Sequence, residues 1–79
     1  MPAENGFKTT AREALLAMAR DWDKAGNTQH AIKAYEAVMK ADSESKEAQV
    51  ARESLLKIAE QFDKKGKKSS AYHLYHKLV

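Results

Sequence analysis

Apolar residues recur along this chain at helical spacing. Leu15, Met18, Ala19 and Trp22 fall at i, i+3, i+4 and i+7, with charged and small residues between them. That period lines one face of an α-helix. The helix is predicted to open at Thr10, where Glu13 stands at the capping-box distance. It should close at Gly26, after Lys24 has set a positive charge against the negative end of the helix dipole. A second helix is predicted over 28–41, with Ala31, Ile32, Tyr35, Val38 and Met39 on one side and Asn27 or Thr28 as its cap. Leu55, Ile58, Ala59 and Phe62 make a third stripe, closed by Gly66. Ala71, Leu74, Tyr75 and Leu78 make a fourth, opened by Ser69 or a neighbour. Short turns that contain glycine join such helices into antiparallel hairpins.

The two hairpins are near-copies. A shift of 40 residues lays 11–39 on 51–79, and eleven positions coincide: Ala11/Ala51, Arg12/Arg52, Glu13/Glu53, Leu15/Leu55, Leu16/Leu56, Ala19/Ala59, Asp23/Asp63, Lys24/Lys64, Gly26/Gly66, Ala31/Ala71 and Tyr35/Tyr75. Unrelated segments of that length would share about two, if roughly one random pair in 15 agrees. Met18/Ile58, Trp22/Phe62 and Val38/Leu78 are mild exchanges. A repeat of this size decides an architecture. The expected fold is all-α, with no sheet. Ala19 with Ala31, and Ala59 with Ala71, would let paired helices approach, while Trp22 and Phe62 fill the space beside them.

The pattern resembles the tetratricopeptide repeat, a helix–turn–helix unit of about 34 residues. Leu15, Met18-Ala19 and Trp22, then Gly26, Ala31 and Tyr35, stand at that family's positions. Leu55, Ile58-Ala59, Phe62, Gly66, Ala71 and Tyr75 repeat them. Alanine replaces the family's glycine in the first helix of both copies, and Ser43 stands where its proline would be. The period is longer by six residues. "SESKEAQVA" is expected to absorb them as an N-terminal extension of the third helix from about Ser45, making it the longest at about 20 residues. Residues 1–9 are expected to form a flexible tail before one domain, 10–79, built of repeat one (11–43) and repeat two (51–79).

The resemblance implies a fragment of an α–α superhelix, stacked right-handedly or as a compact four-helix body, that binds a protein or peptide without catalysis. In such repeats the first helices line a concave groove. Carried onto this chain, the groove positions are Glu13, Leu16, Arg20, Asp23 and Lys24, with Glu53, Leu56, Glu60, Asp63 and Lys64. Leu16 and Leu56 lie beside the core stripe, where ordinary helix packing and an apolar floor for a partner both fit. Neither first helix contains the asparagine that a carboxylate-clamping groove would use. At the C-terminus, "YHLYHKLV" carries more apolar surface than one stripe hides. Tyr72, Leu74, Leu78 and Val79, beside Tyr75, are therefore expected to form a contact face, for a second copy of the chain or for another protein.

Composition narrows the rest. The chain is long enough for one domain. It has no cysteine, which removes disulfides, thiol nucleophiles and cysteine zinc sites and fits a reducing compartment. No apolar run nears the roughly 18 residues of a membrane span, and "MPAENGFK" lacks the plan of a secretion signal. No membrane is expected, and the cytoplasm is the expected location. The net charge of +3 is mild. Lys64, Lys65, Lys67 and Lys68 surround one turn, as helix-end charges or as a contact for phosphate or an acidic partner. Without interleaved aromatic rings they argue against a nucleic-acid surface, and the last helix offers no Arg, Asn or Gln to read base edges. A nucleic-acid-associated helical protein and an accessory subunit of an enzyme complex remain as alternatives. His73 and His76 share a helical face but lack further ligands for a metal. Asp21 and Asp23 flank Trp22 at a spacing that points them apart. No motif for catalysis or cofactor binding is present.

Overall fold

The computed structural model describes the backbone over 3–79 and the side chains from Ala11 onward. Four helices follow one another: α1 (Ala3–Lys24), α2 (Thr28–Ala41), α3 (Lys46–Lys64) and α4 (Lys68–Leu78). No strand occurs among the described residues. The all-α fold of two hairpins is the observed one. α1 packs on α2 and α3 on α4, as hairpins, and α2 packs on α3 to join them. The backbones of α1 and α3 also meet briefly. The backbones of α2 and α4 stay apart, spanned by Lys77 Nζ donating to Glu36 Oε2 at 2.7 Å.

The two hairpin turns are the same object built twice. Gly26 has φ +80° and Gly66 has φ +81°. The Gly26 N–H donates to the Asp23 carbonyl at 3.0 Å, and the Asn27 N–H to the Trp22 carbonyl at 2.8 Å. Forty residues on, Gly66 donates to Asp63 at 3.0 Å and Lys67 to Phe62 at 2.8 Å. This pair of bonds is the Schellman motif, which satisfies the last carbonyls of a helix and needs a left-handed residue at its corner. Asn27 caps α2 by position only: its side chain accepts no backbone N–H and instead lies 2.6 Å from His30 Nδ1. Lys67 opens α4, two residues before Ser69.

The join between hairpins uses different chemistry. Ser45 Oγ accepts the Ala48 N–H at 3.0 Å, the side-chain cap of α3. The same hydroxyl donates to the Asp42 carbonyl at 2.7 Å. Arg12 Nε donates to Glu47 Oε1 at 3.2 Å, tying α1 to the first turn of α3. The helical extension expected from Ser45 is present, so the extra residues of the long period are ordered helix. α3 has 19 residues, but α1 is longer at 22. α1 is helical from Ala3, so Thr10 lies inside it and does not open it. The expected tail therefore has helical backbone from Ala3 on. Met1, Pro2 and the side chains of 3–10, including the Thr10 cap, lie outside the described residues.

The core runs through all four helices. It comprises Leu16 and Ala19 of α1; Ala31, Ile32, Tyr35 and Val38 of α2; Ala51, Leu55, Ile58 and Ala59 of α3; and Leu74 of α4. The four alanines expected at the close approaches, Ala19, Ala31, Ala59 and Ala71, have no exposed surface. Full burial of a side chain such as Leu55 contributes about 1.5–3 kcal/mol. Two expected core residues are not in it. Met18 is exposed, and Trp22 lies at the surface, its ring centroid 4.7 Å from that of His30. α1 has a helix on one side only, so its outer apolar positions lack a neighbour to bury them.

Candidate functional site

Arg52 and Leu56 of α3 meet Tyr72, Tyr75, His76 and Leu78 of α4, with Val79, around a shallow hollow. Its floor is apolar and open to solvent. Leu56, Tyr72 and Val79 are among the few large hydrophobic side chains left exposed. The Tyr75 phenol is half-buried, and that burial pushes its pKa up from 10.0, with the charges of Asp63 and Glu60 adding to the effect. Arg52 and His76 form the polar edge of this apolar floor.

The repeat says what this surface is. Moved back by 40 positions, its residues become Arg12, Leu16, Ile32, Tyr35, Glu36, Val38 and Met39. That is the surface of the first hairpin that lies toward the second. There α3 is packed against it, and the same positions are covered. Leu16 is 7% exposed where Leu56 is 41%, and Ile32 is 8% exposed where Tyr72 is 62%. Tyr35 and Val38 are buried where Tyr75 and Leu78 are only half-buried. Arg12 reaches Glu47 at 3.2 Å and Asp42 at 3.8 Å, whereas its copy Arg52 stands exposed at the rim. The hollow is thus the copy of a surface that is covered on the first hairpin and left open at the C-terminal end.

Several expected site residues fall elsewhere. Leu16 is core and no part of an open floor, because α3 covers it. Leu74, expected on the contact face, is buried against α3. Tyr72, Leu78 and Val79 line the open hollow, and Leu56 joins them. Glu13, Arg20, Asp23 and Lys24 are exposed along α1, and Glu53, Glu60 and Lys64 along α3. Asp63 is engaged by Lys68, whose Nζ lies 2.6 Å from Asp63 Oδ1. This contact raises the Lys68 pKa above 10.5, through the hydrogen bond first and the carboxylate's charge second. The Lys67 ammonium lies 6.0 Å from the Phe62 ring centroid. Half of the lysine cluster is therefore already occupied.

Sequence reasoning missed Arg52 and His76 at the rim, and the exposure of Met18 and Trp22. The shift by 40 carried no signal for them, because it pairs each with a residue whose surroundings differ. Among the described residues, no group of three His, Cys, Asp or Glu side chains is placed to hold a metal, and no helix is long and apolar enough to cross a membrane. No family model, curated protein or solved structure matches the chain.

Proposed function

We propose that this chain is a non-catalytic protein-interaction module of tetratricopeptide type. It takes an amphipathic helix into the groove formed by Leu56, Tyr72, Tyr75, Leu78 and Val79. The observation that carries this reading is the contrast between Leu16 and Leu56: the same leucine in the same hairpin is covered by a helix in one copy and open in the other. Exposed apolar patches rimmed by polar groups mark interaction sites, and helix-in-groove docking reads apolar anchors at i, i+3 or i+4, and i+7. The aromatic pair Tyr72 and Tyr75 supplies the kind of anchor that dominates binding energy at interfaces. Partners are proteins or peptides; cofactors and membranes play no part, and the cytoplasm is the expected setting. The nucleic-acid alternative is weakened by the engagement of Lys68 with Asp63 and of Lys67 with Phe62.

A library of displayed amphipathic helices tests the reading. Binders selected on the intact chain should lose about tenfold or more in affinity with Leu56→Glu, measured by fluorescence anisotropy, because a buried unpaired charge is costly. Lys57→Glu, on the neighbouring exposed position, should leave affinity within about twofold. Equal binding by wild type and Leu56→Glu would remove the groove as the site.

A further inference from the structure

The groove at the C-terminal end has a counterpart at the other end of the molecule. α3 fills the groove of the first hairpin, and the face it brings carries Ala51, Leu55, Ile58 and Phe62, at i, i+4, i+7 and i+11. Ala51, Leu55 and Ile58 join the core there. Forty residues earlier, α1 carries Ala11, Leu15, Met18 and Trp22 at the same spacing. Alanine and leucine are unchanged, and methionine for isoleucine and tryptophan for phenylalanine keep the face apolar. In α1 most of this ridge is uncovered: Ala11, Met18 and Trp22 are exposed, Met18 at 52% where Ile58 is 3%, while Leu15 is half-buried against the core. Met18 and Trp22 border an open apolar surface with Asp21 and Ala25.

One internal interface, α3 seated on the first hairpin, therefore has both its halves displayed again on the outside. The ridge is on α1 and the groove is on α3 and α4. We propose that the occupant of the groove is α1 of a second copy of this chain, docked head to tail so that the α2–α3 contact is repeated between molecules. This rests on the reading of the groove as a protein-binding surface and names its partner. The geometry of the turns supports it, since Gly26 and Gly66 produce the same hairpin with the same bonds. A docked copy thus brings a hairpin of the shape that the groove already accepts once. The contact joins two different surfaces, and each copy that docks leaves one ridge and one groove free. Heterologous contacts of this kind extend into open chains unless a rotation closes them into rings.

The test uses complementary blocked ends. Wild type is followed by sedimentation equilibrium from about 10 μM to about 1 mM, the range in which a contact of a few kcal/mol becomes populated. Its mass should rise with concentration and pass beyond the dimer. Met18→Glu blocks the ridge and keeps the groove; Leu56→Glu blocks the groove and keeps the ridge. Each variant alone should stay at monomer mass, and an equimolar mixture should form a one-to-one dimer and stop there. Both positions are exposed in the monomer, and circular dichroism checks that helicity is kept. If either charge unfolds the chain, Ala11→Arg and Tyr72→Lys block the same two faces. Monomeric wild type at about 1 mM overturns the proposal, as does a mixture that stays monomeric or a Met18→Glu chain that dimerises alone. In each of those cases, selected helices that still bind in a Leu56-dependent way leave the groove reading intact. Loss of that dependence sinks the groove reading itself.

Discussion

At the scale of the residue, Gly26 and Gly66 hold a conformation that other residues resist. Their φ angles are near +80°, and a Cβ built on either meets nothing within 4 Å. The cost of alanine there is purely a matter of backbone, about 1–2 kcal/mol. Gly66→Ala should lower the urea midpoint accordingly, and Gly66→Asn should lose less, because asparagine tolerates the left-handed region. Tyr75 and Lys68 make a second residue-scale prediction. Both hold their protons more tightly in the folded chain than in the unfolded one. Their contributions are therefore whole at neutral pH and fade as pH climbs past 10.0 and 10.5, the ordinary values, through the raised ones. Stability should be flat across neutral pH and fall in alkali. Tyr75→Phe should make that fall shallower, read as urea midpoints at about pH 8 and about pH 11.

At the scale of the element, the helices were legible wherever the apolar period was strong. The span 28–41 of α2 is read from apolar spacing, and the opening of α3 near Ser45 from the good helix formers that fill the six extra residues of the period. The start of α1 was not, because Thr10 and Glu13 mimic a cap inside a segment whose backbone is helical from Ala3. A capping box shows where a helix can begin, and preceding residues that also accept helical angles override it. Ser45 is a cap in fact: its hydroxyl serves Ala48 and holds the turn to Asp42. Ser45→Ala should cost about 1 kcal/mol, visible as a lower melting temperature. The same change at Ser69, inside α4 and exposed, should move stability by about 0.5 kcal/mol or less.

At the scale of the whole molecule, two near-identical hairpins have unlike neighbours, and this makes equal residues unequal. Leu16 lies in the core and Leu56 on the surface, although the five residues around each read "EALLA" and "ESLLK". Leu16→Ala should cost about 2–5 kcal/mol, by lost transfer energy and a cavity. Leu56→Ala should cost about 1 kcal/mol or less in a dilute sample. Comparison of denaturant unfolding for the pair checks this, and equal losses would mean that α3 does not cover the first hairpin as described. The burial of Leu74 and the exposure of Trp22 have the same origin. Leu74 is buried in the core of its hairpin, whereas Trp22 lies over His30 of α2 at the open end of the stack, with no further hairpin to cover it.

The sequence by itself determined the helices, the turns and the repetition, because those depend on contacts within a few residues of each other. Glycine at the corner of each hairpin, alanine at each close approach and an apolar stripe per helix are local statements, and they held. What only the tertiary structure decided is which stripes are covered. Two copies of one pattern present four faces that can pack against another hairpin, and the chain brings two of these together. The apolar period marks Met18 and Ile58, or Leu16 and Leu56, alike. Burial depends on what stands across from a residue, and for these pairs that is settled by the order in which the helices stack.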